Sequence, residues 1–408
     1  MTTDPCDWGP IPMQEFPAPS DKPSIRCLVR NSLVPNTPEE RVRQSVVLWL
    51  RDIVGWPLEL VSVEFNLTRH HDSSERADIV LWECSVPEKW KQGYDGSAFC
   101  VVECKAPKLY INDDDLGQAH RYAEKLRAKY VIATNCQQLH CAELGAASSL
   151  LRTERIPTRK EYEERDARIV PYKPRRFRRP TAADLSDAKF VQEFWNELVQ
   201  REWLVSTSQA DLVPFMMDFL GLLFDREEPT KPSLPWTGYG ISILEDWGRR
   251  ERRFGNAGGG NWDGHYRTFL VRDGGREIEM HVSLVASAPK TADPAFGNRK
   301  GGTYLIVALN NHNSIQLCME KYHSCQSGRV TIVHDGRITV GKGGAAPRID
   351  LMRFVMKEHP SLRATVDRLH LGTLPARGGL EWEDLEDFLL RLLKYALVRD
   401  QFRATLSG

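Results

Sequence analysis

Two short apolar runs constrain this chain most, because each carries charge where a buried strand ordinarily has none. The first is Arg76-Ala77-Asp78-Ile79-Val80-Leu81, and the second is Val101-Val102-Glu103-Cys104-Lys105-Ala106-Pro107. Each reads as a buried strand. Buried strands tolerate charge only where it is paired or functional. Glu103 and Lys105 are two apart, so on a strand they share a face. A carboxylate beside an ammonium, with a second carboxylate on the neighbouring strand, is the set that a divalent-metal hydrolytic site needs. The carboxylates offer hard oxygen ligands, and ion and lysine together position a water and neutralise phosphate charge. Read alone, Glu103 and Lys105 also fit an exposed ion pair worth ~0.2–1 kcal/mol.

The surrounding sequence predicts a small mixed sheet flanked by helices. Thr37 is a good N-cap, Pro38 suits the first helical position, and Glu40 completes a capping box. Val42, Val46, Val47, Leu50, Ile53 and Val54 then recur at helical spacing until Gly55-Trp56-Pro57. Strands follow at Leu60–Leu67, Arg76–Glu83 and Phe99–Lys105, with a polar connector over 84–98 that contains Gly93 and Gly96. A helix from Asp114 to Lys129 and a strand from Tyr130 to Asn135 complete the order α-β-β-β-α-β.

Five segments in this order carry a resemblance: Pro38-Glu39-Glu40-x-Val42-Arg43-Gln44, Arg76-Ala77-Asp78-Ile79-Val80, Glu103-x-Lys105-Ala106-Pro107, Gln118-x-x-x-Tyr122, and Tyr130-Val131-Ile132-x-Thr134-Asn135. From Pro38 to Leu144 the chain resembles the N-terminal nuclease domain of type I restriction enzyme motor subunits, within the PD-(D/E)XK nuclease superfamily. The resemblance implies a restriction-endonuclease-like α/β (α+β) core and Mg2+-dependent phosphodiester hydrolysis, with Mn2+ as the alternative ion. It implies Asp78 and Glu103 as metal ligands and Lys105 acting on the attacking water. Gln118 supports the lysine, and Tyr122 contacts nucleic acid. An acid on the first helix completes the metal shell, with Glu40 the best match and Glu39 close behind, although the capping role of Glu40 alone would account for it, and Tyr122 equally fits plain packing. Cys104 reads as a small buried residue whose carbonyl, not its thiol, reaches the metal. One departure is visible: Cys136 stands where the pattern has a glycine after Thr134-Asn135.

Composition narrows the rest. At 408 residues the chain exceeds one ordinary core. The expected organisation is an irregular segment 1–36 rich in proline, a nuclease domain 37–150, a basic and helical linker 151–235, and an α+β domain 236–408 with an antiparallel sheet. With 55 basic and 55 acidic residues, a globally basic nucleic-acid binder is excluded, but a local patch is not. Arg175, Arg176, Arg178 and Arg179 close a basic run that fits a phosphate backbone, or equally a solvated linker. No stretch of ~18 apolar residues spans a membrane. Nine scattered cysteines fit reduced thiols in a cytoplasm.

In the last domain, strands are expected at Tyr266–Val271, Glu277–Leu284, Thr303–Ala308, Arg329–Val333 and on to Val340, with a loop at 255–264 and helices at Asp350–Lys357 and Glu383–Arg403. His312, His323, His334, Cys318 and Cys325 lack zinc-site spacing. No GxxxxGK[ST] loop is present, so an ATPase engine is excluded. The reading is a DNA endonuclease of restriction or anti-phage defence, with a protein partner or second copy held through the C-terminal half. The alternatives are a non-catalytic nucleic-acid-binding scaffold, or a nuclease for RNA or for both nucleic acids.

Overall fold

The computed structural model describes residues 10–15, 24–67, 75–84, 98–145, 149–167, 169–172, 177–225, 234–255, 261–287, 290–293, 297–299, 301–310, 312–339 and 344–407. The chain divides into two compact units, Met1–Pro174 and Arg175–Gly408. The expected linker 151–235 is therefore shared between the units: its first part, with the short helix Arg159–Glu163, belongs to the first unit, and its helices from Ala182 to Phe224 belong to the second.

The first unit is built on a six-stranded sheet of β3 (Val61–Asn66), β4 (Arg76–Trp82), β5 (Ala98–Cys104), β6 (Tyr130–Thr134), β7 (Leu139–Leu144) and β8 (Leu150–Thr153), in that spatial order. Only β5 and β6 run parallel. The crossover between them is α2 (Asp113–Leu126). The other flanking helix is α1 (Pro38–Asp52), capped by the Thr37 hydroxyl, which accepts from Glu40 N–H at 3.1 Å. The two faces of the sheet are buried separately. Val42, Val46, Val47 and Leu50 of α1 pack with Ile79, Leu81, Cys100 and Val102, while Leu116, Ala119 and Ala123 of α2 pack with Val80, Trp82 and Val101. This alternation is the two-residue period of a strand covered on both sides. Ile53, expected on the apolar stripe of α1, is the C-cap and is exposed.

Three features differ from expectation. Segment 24–35 contains a hairpin of β1 (Ser24–Arg26) and β2 (Leu33–Pro35), and Ile11 is buried with its N–H donating to Cys136 O. Pro35 sits at the end of its strand, where no ladder donor is needed. Strands β7 and β8 extend the sheet beyond the expected last strand. Between β6 and β7, Cys136 takes φ 70°, the left-handed turn conformation that its glycine-like position requires.

The second unit has an antiparallel sheet in the order Asn261–Asp273, Arg276–Ser287, Gly302–Leu309, His312–Cys318, Ile241–Gly255 and Trp236–Gly238. Strand Ile241–Gly255 also pairs with Asn261–Asp273, and at Gly255 with His312, so the sheet closes on itself. The expected loop is partly strand, since Asn261 begins one; residues 256–260 lie outside the described residues, as does Val340. The apolar helix Val213–Phe224 is buried at every position, and helix Trp382–Ser407 shares its core. The strands that were not expected include the long Ile241–Gly255, His312–Cys318 and Leu369–Pro375. Among the described residues, no helix is long and apolar enough to cross a membrane.

Candidate functional site

The β4–β5 ladder pairs Ile79 with Val102, and continuing that register sets Asp78 opposite Glu103. The β3–β4 ladder pairs Val63 with Ile79 and Phe65 with Ala77, which sets Glu64 opposite Asp78. Three carboxylates thus stand abreast on three adjacent strands. Directly opposed like charges destabilise a sheet, and Asp78 and Glu103 are only 7% and 5% exposed. Burial first, then the Asp78 charge, pushes the Glu103 pKa up from 4.5 to about 7. Such a row asks for cations.

Two cations answer from the protein. Lys105 Nζ lies 2.8 Å from Glu103 Oε1, 3.1 Å from Gln118 Oε1 and 3.7 Å from Asp115 Oδ1. Burial alone lowers the pKa of its ammonium, but the charge and hydrogen bond of Glu103 outweigh it and the net shift is upward. Arg43 of α1 donates to Asp78 Oδ1 at 2.6 Å, pairs with Glu64 at 2.6 Å and also binds Glu40. Its pKa too is lowered by burial and raised more strongly by Asp78 and Glu40.

The residues singled out from sequence are placed as follows. Asp78, Glu103, Lys105 and Gln118 come together. Tyr122 is buried in the α2 core and its hydroxyl accepts from Gln118 Nε2 at 3.2 Å, so it braces the glutamine from within the core. Cys104 donates its backbone N–H to Asp78 Oδ2 at 2.7 Å. The N–H and C=O of one strand residue point to the same edge, so the carbonyl is turned to Asp78 as well. Its buried thiol is pushed well above the ordinary range, first by burial and then by Asp78. Glu40 does not close the expected capping box: its carboxylate faces inward, to Gln44 Nε2 at 2.6 Å and to Arg43.

The basic run fares differently. Arg175 and Arg176 lie outside the described residues. Arg178 is exposed, over the Phe190 ring and 3.7 Å from Asp184. Arg179 is not a surface residue of a strip; it is bound to Asp218 Oδ1 at 2.9 Å and to the Leu380 carbonyl within the second unit.

Sequence reasoning assigned no role to Arg43, Gln44 or Glu64. The signal for the first two was present: Glu40, Arg43, Gln44 and Val47 recur at the spacing of one helix face, so polar groups interrupt a buried stripe. Glu64 gives no such signal.

Glu103 Oε2 is a buried carboxylate oxygen with no hydrogen-bond partner. With Asp78 and the Cys104 carbonyl it forms an all-oxygen donor set suited to a hard divalent cation, so the residues present fit one. Among the described residues, no three of these carboxylates bring ligand atoms within 4.8 Å of one another; the Arg43 guanidinium bridges Glu40 to Asp78.

Residues 38–157 match the type I restriction enzyme R protein N terminus family. The match runs from the first residue of α1 to just past β8 and takes in every member of the carboxylate row. This part of the chain is thus similar to the nuclease-like N-terminal domain of type I R subunits. The restriction-enzyme R match leaves the second unit outside it. Comparisons with curated proteins and with solved structures return no match.

In the second unit, Asp211, His323 and Cys325 bring ligand atoms within 4.8 Å of one another. The Cys325 thiol donates to the Asp211 carbonyl, and burial pushes its pKa up to about 11, away from the thiolate that a soft ion needs.

Proposed function

We propose that the first unit is a Mg2+-dependent nuclease that hydrolyses phosphodiester bonds of DNA, serving restriction or anti-phage defence in the cytoplasm. The observation that carries this reading is the unpartnered, buried Glu103 Oε2 opposite Asp78. Asp78, Glu103 and the Cys104 carbonyl would hold the ion. A bound ion supplies Lewis-acid charge and a more acidic water.

The chain's own residues do the rest. Lys105 keeps its proton, so Nζ donates to the attacking water or a phosphate oxygen and acts as a positioned cation, not a base. Glu103 Oε1 and Gln118 Oε1 fix that ammonium from two sides. Tyr122 holds the Gln118 amide so that its oxygen points at the lysine. Water attacks phosphorus, the P–O3′ bond breaks, and a 5′-phosphate and a 3′-hydroxyl remain. The second unit, with its own core and closed sheet, would select the substrate or hold a partner.

Labelled DNA and RNA, incubated with wild type, Asp78→Ala and Lys105→Ala with and without Mg2+, test the reading. The expected outcome is ion-dependent cleavage of DNA by wild type only, with nucleic-acid binding retained in Lys105→Ala. Unchanged cleavage in Lys105→Ala sinks the reading. RNA cleavage in its place would move the substrate and keep the chemistry.

A further inference from the structure

Asp78 gives its two oxygens to different neighbours. Oδ2 accepts from the Cys104 N–H, and Oδ1 accepts from Arg43 at 2.6 Å. Around the guanidinium stand Glu40 and Glu64, the latter at 2.6 Å. Three carboxylates from α1, β3 and β4 therefore converge on one side chain that is 6% exposed. Three convergent carboxylates are what a hard divalent ion seeks, and here a fixed guanidinium charge occupies the place.

We propose that Arg43 is a resident cation that replaces a second divalent ion between Glu40, Glu64 and Asp78, so that the nuclease unit binds a single ion, at Asp78 and Glu103. The proposal rests on the metal-dependent reading above. Two further observations separate it from an ordinary structural ion pair. Glu64 reaches the guanidinium from a left-handed backbone conformation, φ 52°, in the middle of a strand; such strain persists where the surroundings impose it and clusters at functional sites. Arg43 Nε is buried without a hydrogen-bond partner, so charge, more than hydrogen-bond saturation, sets its position. In two-ion sites the pair of cations lies about 3.5–4 Å apart and shares the charge of one phosphate. A guanidinium offers a planar fork of donors and a charge that does not dissociate. Asp78, touching Arg43 through Oδ1, would be the shared acid.

The test counts saturable Mn2+ per chain by electron paramagnetic resonance, on the full chain without nucleic acid. A Cys325→Ser background keeps the Asp211–His323–Cys325 trio out of the count. The expected result is one ion for wild type, one for Arg43→Lys, and two for Arg43→Met. Arg43→Met should also melt lower than wild type without Mn2+ and recover when Mn2+ is added, since an ion then fills the vacated place. Two ions in wild type overturn the proposal. So does one ion in a folded Arg43→Met, or an Arg43→Met that Mn2+ cannot restore. No ion in wild type would instead overturn the metal reading itself.

Discussion

Glu64 meets the Arg43 guanidinium at 2.6 Å from a backbone conformation, φ 52°, that strands rarely contain. The residues on either side of it remain in register with β4, opposite Ile79 and Ala77. The distortion is confined to the one position that faces Asp78.

Replacing Glu64 therefore tests backbone and charge separately. Asparagine tolerates the left-handed region and valine does not. Glu64→Val is expected to be less stable than Glu64→Asn by at least ~1 kcal/mol, the usual cost of a side chain forced into that region. Urea unfolding of the two variants measures the difference.

The raised Glu103 pKa sets a pH dependence with a definite sign. An unfolded glutamate ionises near 4.5, whereas folding pushes this one up to about 7. Its contribution to stability is complete below about pH 4.5 and is lost as pH rises through about 7. Without metal, wild type should weaken across that window and Glu103→Gln should not. An ion needs the ionised carboxylate, so apparent Mn2+ affinity should climb over the same window and then level off. Unfolding curves and Mn2+ titrations at several pH values check both trends.

Gln118 should matter to rate more than to folding. It accepts from Lys105 with one end of its amide and donates to Tyr122 with the other. Gln118→Ala frees the lysine to wander, and a misplaced group of this kind costs on the order of 100-fold in rate. Its melting temperature should stay close to wild type, because the residue is half-buried at the site's edge. A cleavage rate equal to wild type would show that Glu103 alone holds the lysine.

Arg178 and Arg179 should separate cleanly. Arg179→Ala strands Asp218, which is 2% exposed, and breaking a buried pair costs about 3–5 kcal/mol. Arg178→Ala should leave stability unchanged and lower the salt slope of nucleic-acid binding by about one. Melting curves and binding isotherms at several salt concentrations distinguish the two effects.

Much of the first unit was legible because its periods are clean. Helix α1 announced itself by Thr37-Pro38 and its valines, and β4 and β5 by apolar runs with an acid at one end. Strand β7 was hidden by the irregular sequence Leu-His-Cys-Ala-Glu-Leu, and strand Ile241–Gly255 by four arginines at 249, 250, 252 and 253. The grouping of Asp78, Glu103, Lys105 and Gln118 was expected, since strand order and helix spacing define it. The inward turn of Glu40 was masked by its fit to a capping motif. Glu64 depends on a local backbone angle and a cross-strand register, and a single sequence reveals neither.

The amide of Cys104 gives Asp78 a second occupation. By accepting from it at 2.7 Å, the carboxylate fastens β4 to β5 one step beyond their last ladder pair, as a rivet beyond a seam. Alanine at 78 would remove the charge and the rivet together, letting the strand ends part. Asparagine would keep the fastening through its carbonyl and discard only the charge, so the two substitutions are different experiments, and Asp78→Asn is the one that isolates chemistry from architecture.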